Sequence, residues 1–160
     1  KNFGGSLSDY TVWLLERSMK TMGIRVKAQN ENALTMAYFL QENKEIDKVY
    51  YPGLPTHEDH EIAKKQMKGF GGMLSFELNS SLDASQFQKE LKLIKSSMSL
   101  AGVESTVLSP TKTSHALMSS EVRAEQGIAD GLIRFSVGIE EPEDLKQDIL
   151  QALAAIKKKA

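Results

Sequence analysis

The sequence contains no cysteine, and this absence excludes disulfide bonds, thiolate catalysis and cysteine-bound zinc. No apolar run approaches the roughly 18 residues of a membrane span, and no signal peptide is visible. A surplus of one charge is also lacking, because 20 basic and 21 acidic residues give a net charge of −1. This balance gives no electrostatic reason to expect nucleic acid or a membrane as a partner. The lack of cysteine is compatible with a cytoplasmic protein, which is the location we expect.

The order of apolar patterns along the 160 residues predicts a single α/β domain. A chain of this length buries about 68–70% of its unfolded surface, enough for a real core. Two helices, or one helix bent at Gly23, are expected first, and a helix beginning at Pro142 is expected last. Between them the pattern predicts strands at 46–51 and 73–78, helices near 58–67, 81–94 and 119–126, and short strands within 96–110. We therefore predict a sheet of about four strands with helices packed over one face.

The most informative strand covers residues 131–139, which alternate and are rich in β-branched side chains. Its two faces differ. One face presents only apolar side chains: Ile133, Phe135, Val137 and Ile139. The other face carries Arg134, whose permanent charge and planar fork suit a carboxylate or a phosphate. An internal Asp or Glu, water, or a bound anion can each meet this guanidinium, and the pattern does not choose among them.

Two other segments resemble ligand sites at first sight. His57, His60 and Glu61 include metal-ligating groups, but they lie at a helix start, where polar residues also serve as caps. The glycines at 69–72 resemble a phosphate loop. A phosphate loop follows a strand and opens a helix, whereas this segment follows a helix and leads into an alternating strand. We therefore interpret the glycines as a tight turn.

Several short motifs follow one another in a fixed order along the chain. They are Leu-Leu-Glu-Arg-Ser-Met-Lys-Thr-Met at 14–22, Tyr-Pro-Gly-Leu-Pro at 51–55, Lys65-Gln66-Met67, Gly71-Gly72, Ser-Leu-Ala-Gly-Val-Glu-Ser at 99–105, Ser114-His115-Ala116, Gly127-Ile128, Leu-Ile-Arg-Phe-Ser-Val-Gly-Ile-Glu at 132–140, and Asp144-Leu145 with Asp148. In this combination the chain resembles the pyridoxal-phosphate (PLP) enzymes of Cys/Met metabolism, the group of cystathionine γ-synthase, cystathionine γ- and β-lyase and methionine γ-lyase. Ser18, Ala101 and Ser114 depart mildly from the family pattern.

The resemblance implies that residues 1–160 form the small C-terminal domain of a fold-type I PLP enzyme, with a mostly antiparallel sheet. The chain starts at Lys1, and the larger domain, with the lysine that forms a Schiff base to PLP, is missing from it. We therefore expect a fragment that is inactive alone. The complete protein is expected to be a homotetrameric carbon–sulfur lyase or γ-synthase acting on a sulfur amino acid such as cystathionine.

The resemblance also implies roles for four residues in substrate binding. Arg134 would bind the substrate α-carboxylate, Ser99 would touch the same group, and Ser114 would line the pocket. Met98 would affect specificity. No catalytic, cofactor-binding or metal-binding residue is expected in this chain. From the residues alone, core packing for Met98 and turn hydrogen bonds for the serines remain open. A free-standing module that binds a carboxylate without turnover is the alternative function.

Overall fold

The structure is a computed structural model that describes residues 5–113 and 115–157. Its helices are α1 (Asp9–Met19), α2 (Met22–Gln41), α3 (His60–Gln66), α4 (Ala84–Glu90), α5 (Ser120–Glu125) and α6 (Pro142–Lys157), with a 3-10 turn at Pro110–Lys112. Its strands are β1 (Ile46–Tyr50), β2 (Met73–Leu78), β3 (Lys95–Ser96), β4 (Thr106–Leu108) and β5 (Leu132–Ser136). No helix within the described residues is long and apolar enough to span a membrane.

The strands form one mixed sheet in the order β1-β2-β5-β4-β3, so the strand that carries Arg134 lies at its centre. Three of the pairings are antiparallel, and β3 pairs with β4 in parallel. The expected figure of about four strands was too low, and the sheet is mixed. The short strands expected within 96–110 correspond to β4 and, at the start of that range, to β3, which has only two residues and is too short to produce an alternating pattern.

Helices α2, α4 and α6 and the inner face of the sheet share one hydrophobic core. Ile133 and Phe135 of β5 are completely buried in it, which confirms the predicted apolar face. Ile139, which we placed on the same face, is 44% exposed. The strand ends at Ser136, so its alternation does not extend to residue 139.

The helix ends show which of the sequence signals determine local structure. The Asp83 side chain caps α4 by accepting hydrogen bonds from two backbone N–H groups, and Pro142 is the first residue of α6, as predicted. Thr56 and Asp59 have the sequence spacing of a capping box, but they do not form one at the start of α3. Asp59 makes no side-chain cap, and the Thr56 hydroxyl accepts a hydrogen bond from Gln41.

Tyr51 is fully buried next to the glycine turn, and its hydroxyl donates to the Gly71 carbonyl at 2.9 Å. Burial raises the pKa of Tyr51 from its ordinary value of 10.0 to about 12. Because the folded state holds this proton more tightly, the resulting stabilisation is complete below pH 10 and is lost as the pH rises towards 12. We expect denaturant unfolding to show this loss between pH 10 and 12. In a Tyr51→Phe variant the loss should be smaller, and equal losses in the two proteins would contradict the assignment.

Candidate functional site

Arg134 lies on the central strand β5, on the face of the sheet opposite the helix-covered core. It is in register with Ser75 on β2 and with Leu108 on β4. The side chain is partly buried. A position between two paired strands fixes the backbone of Arg134 firmly, which suits a residue that must present its guanidinium at a constant angle.

Within the described part of the chain, the guanidinium makes its hydrogen bonds to neutral groups. Its Nη2 atom donates to the carbonyl oxygens of Met98 at 3.3 Å and Ser99 at 3.2 Å. Its Nε atom is buried and has no hydrogen-bond partner among the residues that the structure describes. None of the ion pairs formed within residues 5–113 and 115–157 includes Arg134. The interpretation that an internal carboxylate neutralises Arg134 therefore finds no support in this part of the chain, and a bound anion would supply the missing negative charge.

The loop of residues 97–105 supplies both carbonyls, and β4 and β5 hold its first half. The Ser97 N–H donates to the Val107 carbonyl at 3.0 Å, and the Thr106 hydroxyl donates to the Ser99 carbonyl at 2.9 Å. Ala101 adopts a positive φ of 59°, which is unfavourable for a residue with a Cβ atom. Its N–H donates to the Ser136 hydroxyl at 2.9 Å, and this bond helps to fix the strained turn.

Glu140 holds the second half of the loop. Its carboxylate accepts hydrogen bonds from the N–H of Ser105 at 2.6 Å and from the Ser105 hydroxyl at 2.9 Å. The same hydroxyl accepts from the Gly138 N–H at 2.9 Å. A Cβ atom at position 138 would collide with the Val103 carbonyl oxygen, so glycine allows this close approach. The chain after β5 and the loop are therefore fastened together.

Two buried amides of α2 join the same network. Gln29 donates to the Gly102 carbonyl at 2.7 Å, and Asn32 donates to the carbonyls of Gly138 at 3.2 Å and Glu140 at 2.7 Å. Neither residue was predicted from the sequence as a support of the loop, and neither were Thr106 and the Ser105–Glu140 pair. The available signal was weak: two amide side chains three residues apart on an otherwise apolar helix face.

Of the four predicted substrate-binding residues, the structure brings Arg134, Met98 and Ser99 together. The contact uses the backbone carbonyls of Met98 and Ser99. The Ser99 side chain is exposed, and the Met98 side chain is 70% exposed, so the core-packing interpretation of Met98 is wrong. Ser114 lies outside the described residues.

The histidines and glycines of the central region have ordinary structural roles. His57 Nδ1 accepts from the Asp59 N–H at 3.1 Å, and His60 Nδ1 lies 2.8 Å from the Pro52 carbonyl. In the described part of the chain, no three His, Cys, Asp or Glu residues come together as a metal site. Gly71 has a φ of 89°, as a tight turn before β2 requires.

A second partly buried arginine provides a contrast with Arg134. Arg123 lines a cavity of about 530 Å³ together with Tyr50, Glu77 and Asp130. It pairs with Asp130 at 3.1 Å and donates to the Met118 carbonyl at 2.8 Å. Two carboxylates thus line this cavity, and one of them neutralises Arg123. Both arginines have a buried Nε atom without a hydrogen-bond partner among the described residues, so the ion pair to Asp130 is what distinguishes Arg123. Arg134, which has no such ion pair in this part of the chain, is better suited to bind an external carboxylate.

Comparison with known proteins identifies the family. The model of the Cys/Met metabolism PLP-dependent enzymes matches residues 1–154. The chain belongs to this family. It is 47% identical over 152 residues to a cystathionine beta-lyase of Lactococcus lactis subsp. cremoris and 46% identical over 153 residues to a cystathionine gamma-lyase of Bacillus subtilis. These alignments cover 95% and 96% of the chain but 40% of each relative.

A solved structure of this family shows the same architecture. The crystal structure of cystathionine gamma-lyase from Lactobacillus plantarum, complexed with L-serine, superimposes with a TM-score of 0.89 at 38% identity. The match covers 98% of this chain and 41% of that one. The family depends on pyridoxal phosphate, and the predicted cofactor is therefore confirmed at the level of the family.

The described residues do not by themselves form a site for pyridoxal phosphate. No lysine among them is buried, as an amine enclosed with the cofactor would be. The glycines at 69–72 lead into β2 rather than into a helix, so their backbone does not form a phosphate cradle with a helix N-terminus.

Proposed function

We propose that Arg134 binds the α-carboxylate of a sulfur amino acid in a PLP-dependent transsulfuration enzyme. The observation that carries the proposal is the state of its guanidinium. The side chain lies on the central strand and is held by two neutral carbonyls, and its buried Nε atom has no hydrogen-bond partner in the described ranges 5–113 and 115–157. A carboxylate that accepts two parallel hydrogen bonds would satisfy this group.

The chemistry of pyridoxal phosphate explains why two-point binding of the carboxylate is useful. Bound pyridoxal phosphate supplies an electron sink for the α-carbon of an amino acid. The residues of this chain orient the substrate. Arg134 holds the carboxylate, which limits rotation about the bond between the α-carbon and the amino nitrogen and so selects the bond to be broken. The exposed hydroxyl of Ser99 is available to the same carboxylate, and Ser114 is proposed to line the pocket. The exposed Met98 side chain is proposed to contact the variable part of the substrate.

We further propose that residues 1–160 are the C-terminal domain of a longer protein whose remaining part binds the cofactor. The chain spans about 40% of the length of the relatives that it matches. Helix α1 has no buried residue, and Trp13 is 52% exposed. Exposed apolar side chains continue into α2: Tyr10, Val12, Leu14, Leu15, Met19, Met22, Ile24 and Val26. A patch of this kind usually marks a contact surface, and the proposed larger domain would cover it.

If the proposed larger domain covers α1, the amide hydrogens of this helix should be better protected from exchange in the complete protein. Amide hydrogens of α1 should exchange slowly in the complete protein and much faster in the isolated 160-residue chain, because burial of the apolar face stabilises the helix. Amides of the buried strand β5 should be protected in both and serve as the internal control. Equal protection of α1 in the two proteins would contradict the domain arrangement.

The reaction that we propose is γ- or β-elimination or replacement on cystathionine or a related amino acid, by a cytoplasmic homotetramer. The complete protein, loaded with pyridoxal phosphate, should be assayed with L-cystathionine, L-methionine and O-succinyl-L-homoserine plus L-cysteine. Turnover of at least one substrate, with none by the isolated chain, is expected. A complete protein that binds a carboxylate ligand but turns over none of these would instead indicate a binding module.

A further inference from the structure

We propose that Thr106 is a positioning residue for Arg134, acting through the Ser99 carbonyl. The inference rests on the proposed role of Arg134 as the carboxylate-binding group. The Thr106 hydroxyl donates to the Ser99 carbonyl oxygen at 2.9 Å, and Arg134 Nη2 donates to the same oxygen at 3.2 Å. A carbonyl oxygen has two lone pairs, so both hydrogen bonds can be made at once.

The two residues joined by this hydrogen bond, Thr106 and Ser99, differ in how firmly the fold holds them. Thr106 is 4% exposed and lies on β4, in register with Ser136 of the central strand and with Lys95 of β3. Ser99 is exposed and lies outside any helix or strand. The hydroxyl thus connects a fixed strand to a loop that has no regular structure at this point.

The Ser99 carbonyl is held from few directions. The N–H of Ser99 donates to the Ser97 hydroxyl at 3.2 Å, and this bond reaches the sheet only indirectly, through the Ser97 N–H that donates to Val107. Without the Thr106 hydroxyl, the hydrogen bond from Arg134 is the one that remains on the Ser99 carbonyl among the described contacts, although Ser97 and Ala101 on either side stay bonded to the sheet. The Ser99 peptide can then rotate towards water, and Arg134 loses one of its two acceptors. The guanidinium would sample several angles, and two-point binding of a carboxylate needs one angle.

A matched pair of substitutions isolates the effect of the Thr106 hydroxyl on substrate binding. Thr106→Val keeps the shape of the side chain and removes the donor, whereas Thr106→Ser keeps the donor. On the complete, cofactor-loaded protein we expect Thr106→Val to raise the KM, or the inhibition constant, for L-cystathionine by about 3- to 10-fold, as one neutral hydrogen bond would. Thr106→Ser should restore most of the affinity. The kcat should change less than KM, because cofactor chemistry does not involve this residue.

Thr35→Val is the control for loss of a threonine hydroxyl elsewhere. The Thr35 hydroxyl donates to the Glu31 carbonyl at 3.0 Å within α2, so its removal should leave KM unchanged. If Thr106→Val does not fold, as judged by its melting temperature, Thr106→Ala takes its place, since it removes the hydroxyl without placing a methyl group against the Ser99 carbonyl.

A double-mutant cycle with Arg134→Gln separates the two proposals. If Arg134→Gln leaves the KM unchanged, the proposed role of Arg134 fails. If Arg134→Gln raises KM but Thr106→Val does not, only the role of Thr106 is overturned. If both raise KM, Thr106→Val should have no further effect in the Arg134→Gln protein, because no guanidinium remains to be positioned. Additive effects would show that Thr106 acts independently of Arg134 and would overturn the inference.

Discussion

Replacement of Arg134 by glutamine is expected to lower kcat/KM of the complete protein by about 10- to 100-fold, chiefly through KM, because a charged two-point contact is lost. Glutamine is still polar and retains a hydrogen-bond donor, but it has neither the charge nor the forked geometry of the guanidinium. Arg134→Lys keeps the charge and loses the planar geometry, so its effect should be smaller than that of glutamine. Steady-state kinetics with L-cystathionine would measure both changes.

Arg123→Gln is the matched control for this substitution. Arg123 is also partly buried and hydrogen-bonded to a backbone carbonyl, but it is paired with Asp130. Its loss should reduce stability and leave the KM near that of the unchanged protein. An Arg134→Gln protein that keeps its KM, or an Arg123→Gln protein that loses affinity equally, would remove the assignment of carboxylate binding to Arg134.

The strand around Arg134 was predictable because its information is local. Side chains of β5 alternate between a buried and an open face, and a period of two is visible within five residues. The charge of Arg134 on the open face was visible for the same reason. The apolar periodicity of α1 was equally visible, yet all its residues are exposed in this chain. Periodicity indicates that a helix has an apolar face to bury, but it does not show which part of the protein or which partner buries that face.

The support of the loop 97–105 could not be predicted, because its contacts join residues that are distant in sequence. Gln29 lies 73 positions before its acceptor at Gly102, and Ser105 lies 35 positions before Glu140. Each side chain, taken alone, is an ordinary polar residue. Only the folded arrangement shows that these bonds converge on the segment that holds the guanidinium.

Asp148 offers the largest expected change in stability. It is 5% exposed on α6, and its carboxylate accepts hydrogen bonds from the N–H groups of Lys92 at 2.8 Å, Leu93 at 3.0 Å and Ile94 at 2.8 Å. Alanine would leave these three donors without this acceptor, at a place that is buried at Ile94 and partly buried at the other two hydrogen bonds. We expect Asp148→Ala to lower the free energy of unfolding by about 3–5 kcal/mol, since each unsatisfied donor contributes about 1–3 kcal/mol and relaxation recovers part of the sum.

Denaturant unfolding of the complete protein, followed by hydrogen exchange, would measure this loss and locate it. Asp148→Asn keeps one acceptor oxygen and should be destabilised less than Asp148→Ala. Gln147→Ala, on the exposed side of the same helix, should change stability by less than about 0.5 kcal/mol. The amides of residues 92–94 should lose protection first in Asp148→Ala, because their acceptor is gone. An alanine variant as stable as Gln147→Ala would show that water replaces the carboxylate at these three N–H groups.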